Sequence, residues 1–400
     1  MRILVAAPIM PYPGISNAGG ALLLRHLTIL AESNDVTLLV TQEGLTGRYE
    51  RVPDDLPFRV ILVAPKVIRR RPARALARIR HIVLPLRRFE DFWDDVSLNE
   101  DAAAALRSAE LVELQWFEMI ATVRMLRKYS SLPDVYGYYH DVLSQRLKRE
   151  VHAESAWPKR ILRRIRYGLT AREERYAARL ISKHLCLSKK DEGLVRAFAP
   201  RGAATYVLDP PLDEPEMRWS QSSLDLRPGV ALMVADFGRV ENEESALWLL
   251  EEVWPLVHAS DSGWTLMLAG GNPKERLRNR VVGTKNVTVT GYVPSLASVY
   301  SQARVAVSPA LRGAGVKFKS IVPMLWGIPV VATEVGAEGI DRSLFIEVTD
   351  DPKIFAVAMR RVLMNPSTFD EFRAQAMKAT RDRYTLAAYR ESLLGIYVGS

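Results

Sequence analysis

Between Ala303 and Ile340 the chain reads ARVAVSPALRGAGVKFKSIVPMLWGIPVVATEVGAEGI, and its punctuation leaves few folds open. An apolar run (VAVSPA) gives way to a glycine-broken loop (RGAGVK), then a short helical stretch, a second apolar run (PVVAT) and another glycine turn. This is a βαβ unit, in which Gly327 supplies the left-handed stop after the helix and Pro329 bars its continuation. Gly313 and Gly315 allow backbone to approach a ligand at the helix N-terminus, where N–H groups and the positive dipole end favour an anion. Lys317 and Lys319 add two positive charges there. A phosphate or diphosphate rewards both kinds of group, so that is the chemical reading of the loop. The alternative is an ordinary βα turn with solvated lysines.

A chain of 400 residues fits two domains of roughly 150–200 residues each. With 48% hydrophobic and 25% charged residues it reads as globular. No run approaches the roughly 18 apolar residues of a spanning helix. The opening MRILVAAP resembles a signal peptide only briefly, because Pro8, Pro11 and Pro13 truncate the apolar run; it reads as a first strand. One cysteine, Cys186, excludes an intrachain disulfide framework, and no Cys/His metal spacing occurs. A cytoplasmic location is expected. The formal charge of +9 calls for an acidic partner or surface. Arginines cluster at 67–88 (VIRRRPARALARIRHIVLPLRR) and 158–172 (PKRILRRIRYGLTAR), mixed with Ile, Leu and Val at near-helical spacing. That pattern suits helices lying peripherally on anionic lipid, with a solvated basic face as the alternative. No recognition motif for nucleic acid accompanies the charge, and none is expected as a partner.

Along the first half, RILVAA (2–7), VTLLV (36–40), FRVILVA (58–64), LVELQW (111–116) and HLCLS (184–188) read as strands. A helix from about Ala21 to Ser33 follows a proline-rich loop, with Gly19 and Gly20 at its entrance. A Gly-x-Gly-x-x-Gly dinucleotide fingerprint is absent, which argues against an NAD-dependent dehydrogenase. Glu113 and Glu118 flank aromatics read as exposed. The run DVYGYY ends in His140–Asp141, and a His at the carboxyl end of a strand stands where open α/β sheets bind ligands. A His that caps the following helix is the competing reading. TYVLDPPLDEPEMRWSQSSLDLRPG (205–229) is rich in Pro, Asp and Ser and reads as the interdomain linker. The second domain opens with a strand ending in Gly238–Arg239 and closes with LFIEV (344–348) as a strand and two helices, the last beginning near Tyr384.

The run GAGVKFKSIVPMLWGIPVVATEVGAEGI resembles the pattern GGGT(R/K)LKILEAMAAGRPVVAT.VGAEGL of the nucleotide-sugar glycosyltransferases of GT-B fold, family 4 in particular, and the similarity continues upstream through VTVTGYVPSLASVYSQARVAVSPALR. The resemblance implies an α/β protein of two Rossmann-like domains facing across a cleft, with the C-terminal helix crossing back to the first. The expected boundaries are 1–208 plus 384–400 for the acceptor-side domain, 209–229 for the linker and 230–383 for the donor domain. It implies donor contacts from Gly238, Arg239, Gly313, Ala314, Gly315, Val316, Lys317, Phe318, Lys319 and Val322, and acceptor-side contacts from Gly19, Gly20, His140 and Asp141. His140, Arg239 and Lys319 are the expected catalytic residues. Three departures stand out. The carboxylates that the family pattern places in this region fall at Ala314 and Val322, and Glu244 occupies the place of a common Lys. Pro323 cannot sit mid-helix without losing an N–H bond and crowding the Lys319 carbonyl, so the helix is expected to kink or begin a turn late.

The resemblance implies a retaining transfer of a sugar from a nucleotide diphosphate donor to a small-molecule or glycan acceptor, with no bound metal or other cofactor. A metal-free site must neutralise the leaving diphosphate itself, and Arg239, Lys317, Lys319 and the loop N–H groups are the cationic groups at hand. The departing phosphate can then serve as base. The alternative, suggested by the missing carboxylates and Lys, is a non-catalytic GT-B binding or activating subunit.

Overall fold

The computed structural model describes residues 1–15, 18–44, 52–53, 55–65, 89–129, 134–212, 224–258, 263–313 and 315–398. The first basic cluster, Ala314 and 213–223 of the expected linker lie outside these residues. The chain divides into two compact units, Met1–Pro210 with Arg390–Ser400, and Pro211–Tyr389.

The first unit runs β1 (Arg2–Ala7), α1 (Ala18–Ala31), β2 (Asp35–Thr41), β3 (Arg59–Val63), β4 (Leu111–Gln115), α2 (Trp116–Ile120), β5 (Asp134–Tyr139), α3 (Leu143–Ala153), α4 (Trp157–Ala178), β6 (Lys183–Cys186), α5 (Lys189–Phe198) and β7 (Ala204–Val207), with further short helices between β3 and β5. Its parallel sheet has the order β3-β2-β1-β4-β5-β6-β7. Strands such as RILVAA and DVYGYY are buried beyond their first residue, as strands covered on both faces must be. The order reverses between β1 and β4, where Val5 stands opposite Glu113. In open α/β sheets that switch point leaves a crevice beyond the strand ends.

The second unit contains β8 (Val230–Val234), α6 (Val240–Trp248), β9 (Thr265–Ala269), β10 (Val287–Gly291), β11 (Ala303–Ser308), α7 (Phe318–Leu325), β12 (Val330–Ala332), β13 (Glu347–Val348), α8 (Pro352–Met364) and α9 (Asp370–Tyr384); the last helix, α10 (Leu386–Val398), starts in it and from Arg390 onward belongs to the first unit. The parallel order is β10-β9-β8-β11-β12-β13, with its switch point between β8 and β11. Trp254, Phe355 and Leu268 lie in a packed cluster on one side of this sheet, and Ile321, Trp326 and Tyr384 in another. The βαβ unit is present as read, with Gly327 at φ +61° after α7.

Several details differ from expectation. The helix after β1 starts at Ala18, so Gly19 and Gly20 lie within its first turn. β8 stops at Val234, and Gly238 and Arg239 belong to the loop that follows. Only Glu347–Val348 of 344–348 is strand, because Arg342–Leu344 winds into a 3-10 turn capped by the Asp341 carboxylate. Three helices rather than two end the chain, since Asp351 caps α8 and Thr385 separates α9 from α10. α7 begins at Phe318, directly after Lys317, and runs through Pro323. The loss of that N–H falls near the end of an eight-residue helix, where Ile328 N donates to the Pro323 carbonyl and closes the turn.

Candidate active site

At the switch point of the second unit, the loops after β8 and β11 bring the charged residues together. Asp236 organises the first: its Oδ1 accepts from Gly238 N and from Asn272 Nδ2, each at 3.1 Å. Its carbonyl accepts from Asn242 Nδ2 at 2.9 Å. A Cβ on Gly238 would come within 2.9 Å of Asn272 Cβ, so this close turn favours glycine. With its amide nitrogen committed to Asp236, Asn242 presents Oδ1, which accepts from Lys319 Nζ at 3.0 Å. Asn242, in the first turn of α6, thereby ties the loop after β8 to the first turn of α7.

The second loop supplies the other cations. Gly313 and Gly315 have φ of +119° and +75°, in the region that disfavours side chains. Lys317 Nζ donates to the Gly315 carbonyl at 2.7 Å and lies 3.9 Å from the Glu338 carboxylate. Lys317, at the N-cap of α7, makes no side-chain capping bond, and the first residues of the helix are Phe318 and Lys319. Burial, with Lys317 and Arg239 nearby, pulls Lys319 down to about 8, against the opposing pull of Glu241. Arg239 is exposed and pairs with Glu241. Three cations, Arg239, Lys317 and Lys319, are thus assembled around the start of α7. Glu244 pairs with Arg312 at 3.4 Å. Val316, Phe318 and Val322 are half-buried and pack against the apolar cluster.

In the first unit, β4 and β5 end in a buried polar chain. Glu113 is fully buried rather than beside exposed aromatics, because β4 is covered on both faces. Its Oε1 accepts from His26 of α1 at 2.8 Å and from Gln115 Nε2, and its Oε2 accepts from the Tyr397 hydroxyl of α10. With its amide nitrogen committed to the carboxylate, Gln115 turns Oε1 toward His140 Nε2 at 2.7 Å. His140 must therefore donate through Nε2, leaving Nδ1 as an acceptor. Burial, with His26 adding to it, lowers His140 to about 3, so the ring is neutral. It stacks on Trp116 with centroids 3.8 Å apart. Trp116 has φ +62°, a left-handed conformation unusual for a bulky residue and found where a site is held under strain.

Helix α3 has Val142 at its N-cap, so His140 is not its cap. Asp141 pairs with Arg146 at 3.2 Å. Its charge adds to the burial that raises Glu118 and that raises Glu174 to about 7. Gly20 is buried in α1, where a Cβ would meet Ile15 Cδ1 at 2.4 Å. The structure thus gathers Gly238, Arg239, Lys317 and Lys319 in one unit and Gln115, Trp116 and His140 in the other. Asn242, Glu338, His26, Gln115 and Tyr397 went unread. The signal for Gln115 was available: Glu113 and Gln115 are two polar residues on one face of an otherwise apolar strand.

Residues 230–365 match the family described as glycosyl transferases group 1. No curated protein sequence matches the chain significantly. Among solved structures, sucrose-phosphate synthase from Thermosynechococcus elongatus is similar with a TM-score of 0.69 at 15% identity, over 99% of this chain and 98% of that one. Anabaena HepE, solved with UDP and glucose, is similar with a TM-score of 0.69 at 11% identity over 100% of both chains. The lipopolysaccharide outer core galactosyltransferase WaaB gives 0.62 at 11% identity, again over 100% of both. At these identities the structural likeness speaks for the fold. Residues 230–365 are thus a group 1 glycosyltransferase domain, and the chain that carries them is a glycosyltransferase enzyme of GT-B fold.

Proposed function

We propose that the enzyme moves a sugar from a nucleotide diphosphate donor, held by the second unit, to an acceptor hydroxyl or other nucleophile, with retention at the anomeric carbon and without a metal. The observation that carries this is the cation cluster around the start of α7, in which Lys319 is lowered to about 8 by burial and by its cationic neighbours. A dianionic diphosphate relieves that repulsion, and its charge grows as the sugar–phosphate bond breaks. Cations already in place then stabilise the transition state more than the ground state. HepE was solved with UDP, which makes uridine the first base to try. Retention is supported by the likeness of 303–340 to family 4. Neutral His140, with Nδ1 as acceptor, is suited to receive a hydrogen bond from a sugar or acceptor hydroxyl rather than to act as a cationic acid.

In this reading Arg239, Lys317 and Lys319 take the charge-neutralising role that a metal would otherwise fill. Activity should therefore persist in EDTA; loss with rescue by magnesium or manganese would overturn the metal-free reading. A thermal-shift panel of UDP, GDP, ADP, dTDP and their sugars tests the donor class. Stabilisation by none of them would sink the proposal, and the anomeric configuration of the product reads retention directly.

Arg239 is exposed and already partnered by Glu241, so its contribution is the smaller. Arg239→Ala should weaken diphosphate binding about threefold to tenfold, a modest hydrogen bond's worth, and leave nucleoside binding unchanged. Equal losses in calorimetry would remove Arg239 from the phosphate site.

A further inference from the structure

Helix α4 is built in two halves. Its C-terminal half buries Thr170, Glu174, Ala177 and Ala178 against the first unit. Its N-terminal half leaves large apolar side chains in water: Trp157 is 67% exposed, Ile161 50%, Leu162 45% and Ile165 50%. None of these belongs to the apolar core of its unit. At about 100° per residue, the four side chains share one arc of the helix, roughly 140° wide. Arg160 and Arg164 border that arc on one side, Lys159 and Arg166 on the other. Arg163 pairs with Glu154 at 3.0 Å, but Lys159, Arg160 and Arg164 enter no ion pair among the described residues. On the Arg160 side, a groove between α3 and α4 sets Lys148, Arg160 and Arg164 beside Trp157 and Ile161.

We propose that the N-terminal half of α4 is a membrane-surface anchor that lies on a bilayer bearing anionic headgroups. An apolar arc left in solvent is unfavourable unless something covers it. The basic borders select the cover. They leave the arc free to enter the acyl boundary while arginine and lysine heads stay level with anionic phosphates, which a neutral apolar protein face would not provide. The groove accepts a headgroup phosphate between its basic side chains while the Trp157 ring sits at the interface. The helix lies on the bilayer and does not cross it, since no helix among the described residues is long and apolar enough to span one. An acceptor presented at such a surface would meet the enzyme there.

The test uses the full chain and vesicles of phosphatidylcholine alone or mixed with phosphatidylglycerol. The wild type should sediment with the mixed vesicles, release from them as salt rises, and ignore the neutral ones. Trp157→Ser/Ile161→Ser/Ile165→Ser should lower partitioning by about tenfold or more, and Lys159→Gln/Arg160→Gln/Arg164→Gln should remove the preference for anionic lipid. Both sets lie on exposed positions, so unchanged unfolding midpoints should accompany the loss. Wild-type absence from all vesicles overturns the proposal. So does undiminished binding by both variants, which would place the contact elsewhere on the chain. Self-association of the wild type that the apolar variant abolishes would make a second copy the occupant and overturn it equally.

Discussion

Lys319→Met should weaken binding of the nucleoside diphosphate about 10- to 150-fold, the worth of one charge-assisted hydrogen bond of roughly 1.5–3 kcal/mol, while nucleoside binding stays put. The wild type carries a pH signature that the variant must lose. Lys319 sits at about 8 in the free protein because burial and the nearby Lys317 and Arg239 oppose its charge. A bound dianion reverses that balance and raises it. Below pH 8 the lysine is already charged and this term of the affinity is flat. Above pH 8 each binding event must also take up a proton, so affinity should fall by up to tenfold per pH unit until the bound complex itself titrates. Calorimetry at pH 8.5 in two buffers of different ionisation enthalpy should show uptake of most of one proton, and none in Lys319→Met. The free protein should show the converse. Between pH 8 and the unfolded lysine value near 10.4 the unfolded chain binds more protons, so this residue's contribution to stability rises with pH in that window. A diphosphate affinity constant from pH 7 to 9.5 would remove Lys319 from the phosphate.

Much of this was legible in the sequence where backbone chemistry is local. Gly313, Gly315 and Gly327 mark a strand, loop and helix because their positive φ values leave few alternatives, and the two lysines follow at fixed offsets. His140 was legible from its place just after an apolar run. The partners that set each group's chemistry were not. Asn242 reaches Lys319 across 77 positions of sequence, and Tyr397 reaches Glu113 across 284. No periodicity encodes such distances. Glu113 was misjudged because charge argues for exposure. Only the covered faces of β4, together with three donors converging from α1, β4 and α10, make a buried carboxylate tolerable there. The end of β8 and the strand at 344–348 were misplaced for the usual reason: apolar runs continue into loops that pack as tightly as strands.

Glu113→Leu should destabilise the protein by about 3–5 kcal/mol, a large share of the roughly 5–15 kcal/mol typical of a folded domain. The carboxylate accepts from the Tyr397 hydroxyl, the Gln115 amide and the His26 ring, all buried, and leucine answers none of them. A buried donor left unpaired costs about 1–3 kcal/mol, and three that share one acceptor will not add fully. Glu113→Gln keeps the shape but sets an amide nitrogen against donors, so it should fall between wild type and Glu113→Leu in urea unfolding. Tyr397→Phe removes one donor and leaves an acceptor with two remaining partners, so its loss should be the smallest of the three. Stability alone would fit a purely structural carboxylate, and the second readout is His140. With Glu113 gone, nothing obliges Gln115 to keep its carbonyl oxygen toward the ring, and the Nε2–H tautomer loses its support. Nitrogen-15 spectra should show Nε2 protonated in the wild type and a mixture of tautomers in Glu113→Gln. The same Nε2–H tautomer in both proteins, alongside a large loss of stability, would mean that the stack on Trp116 orients His140 unaided and that the chain from Tyr397 ends at Gln115.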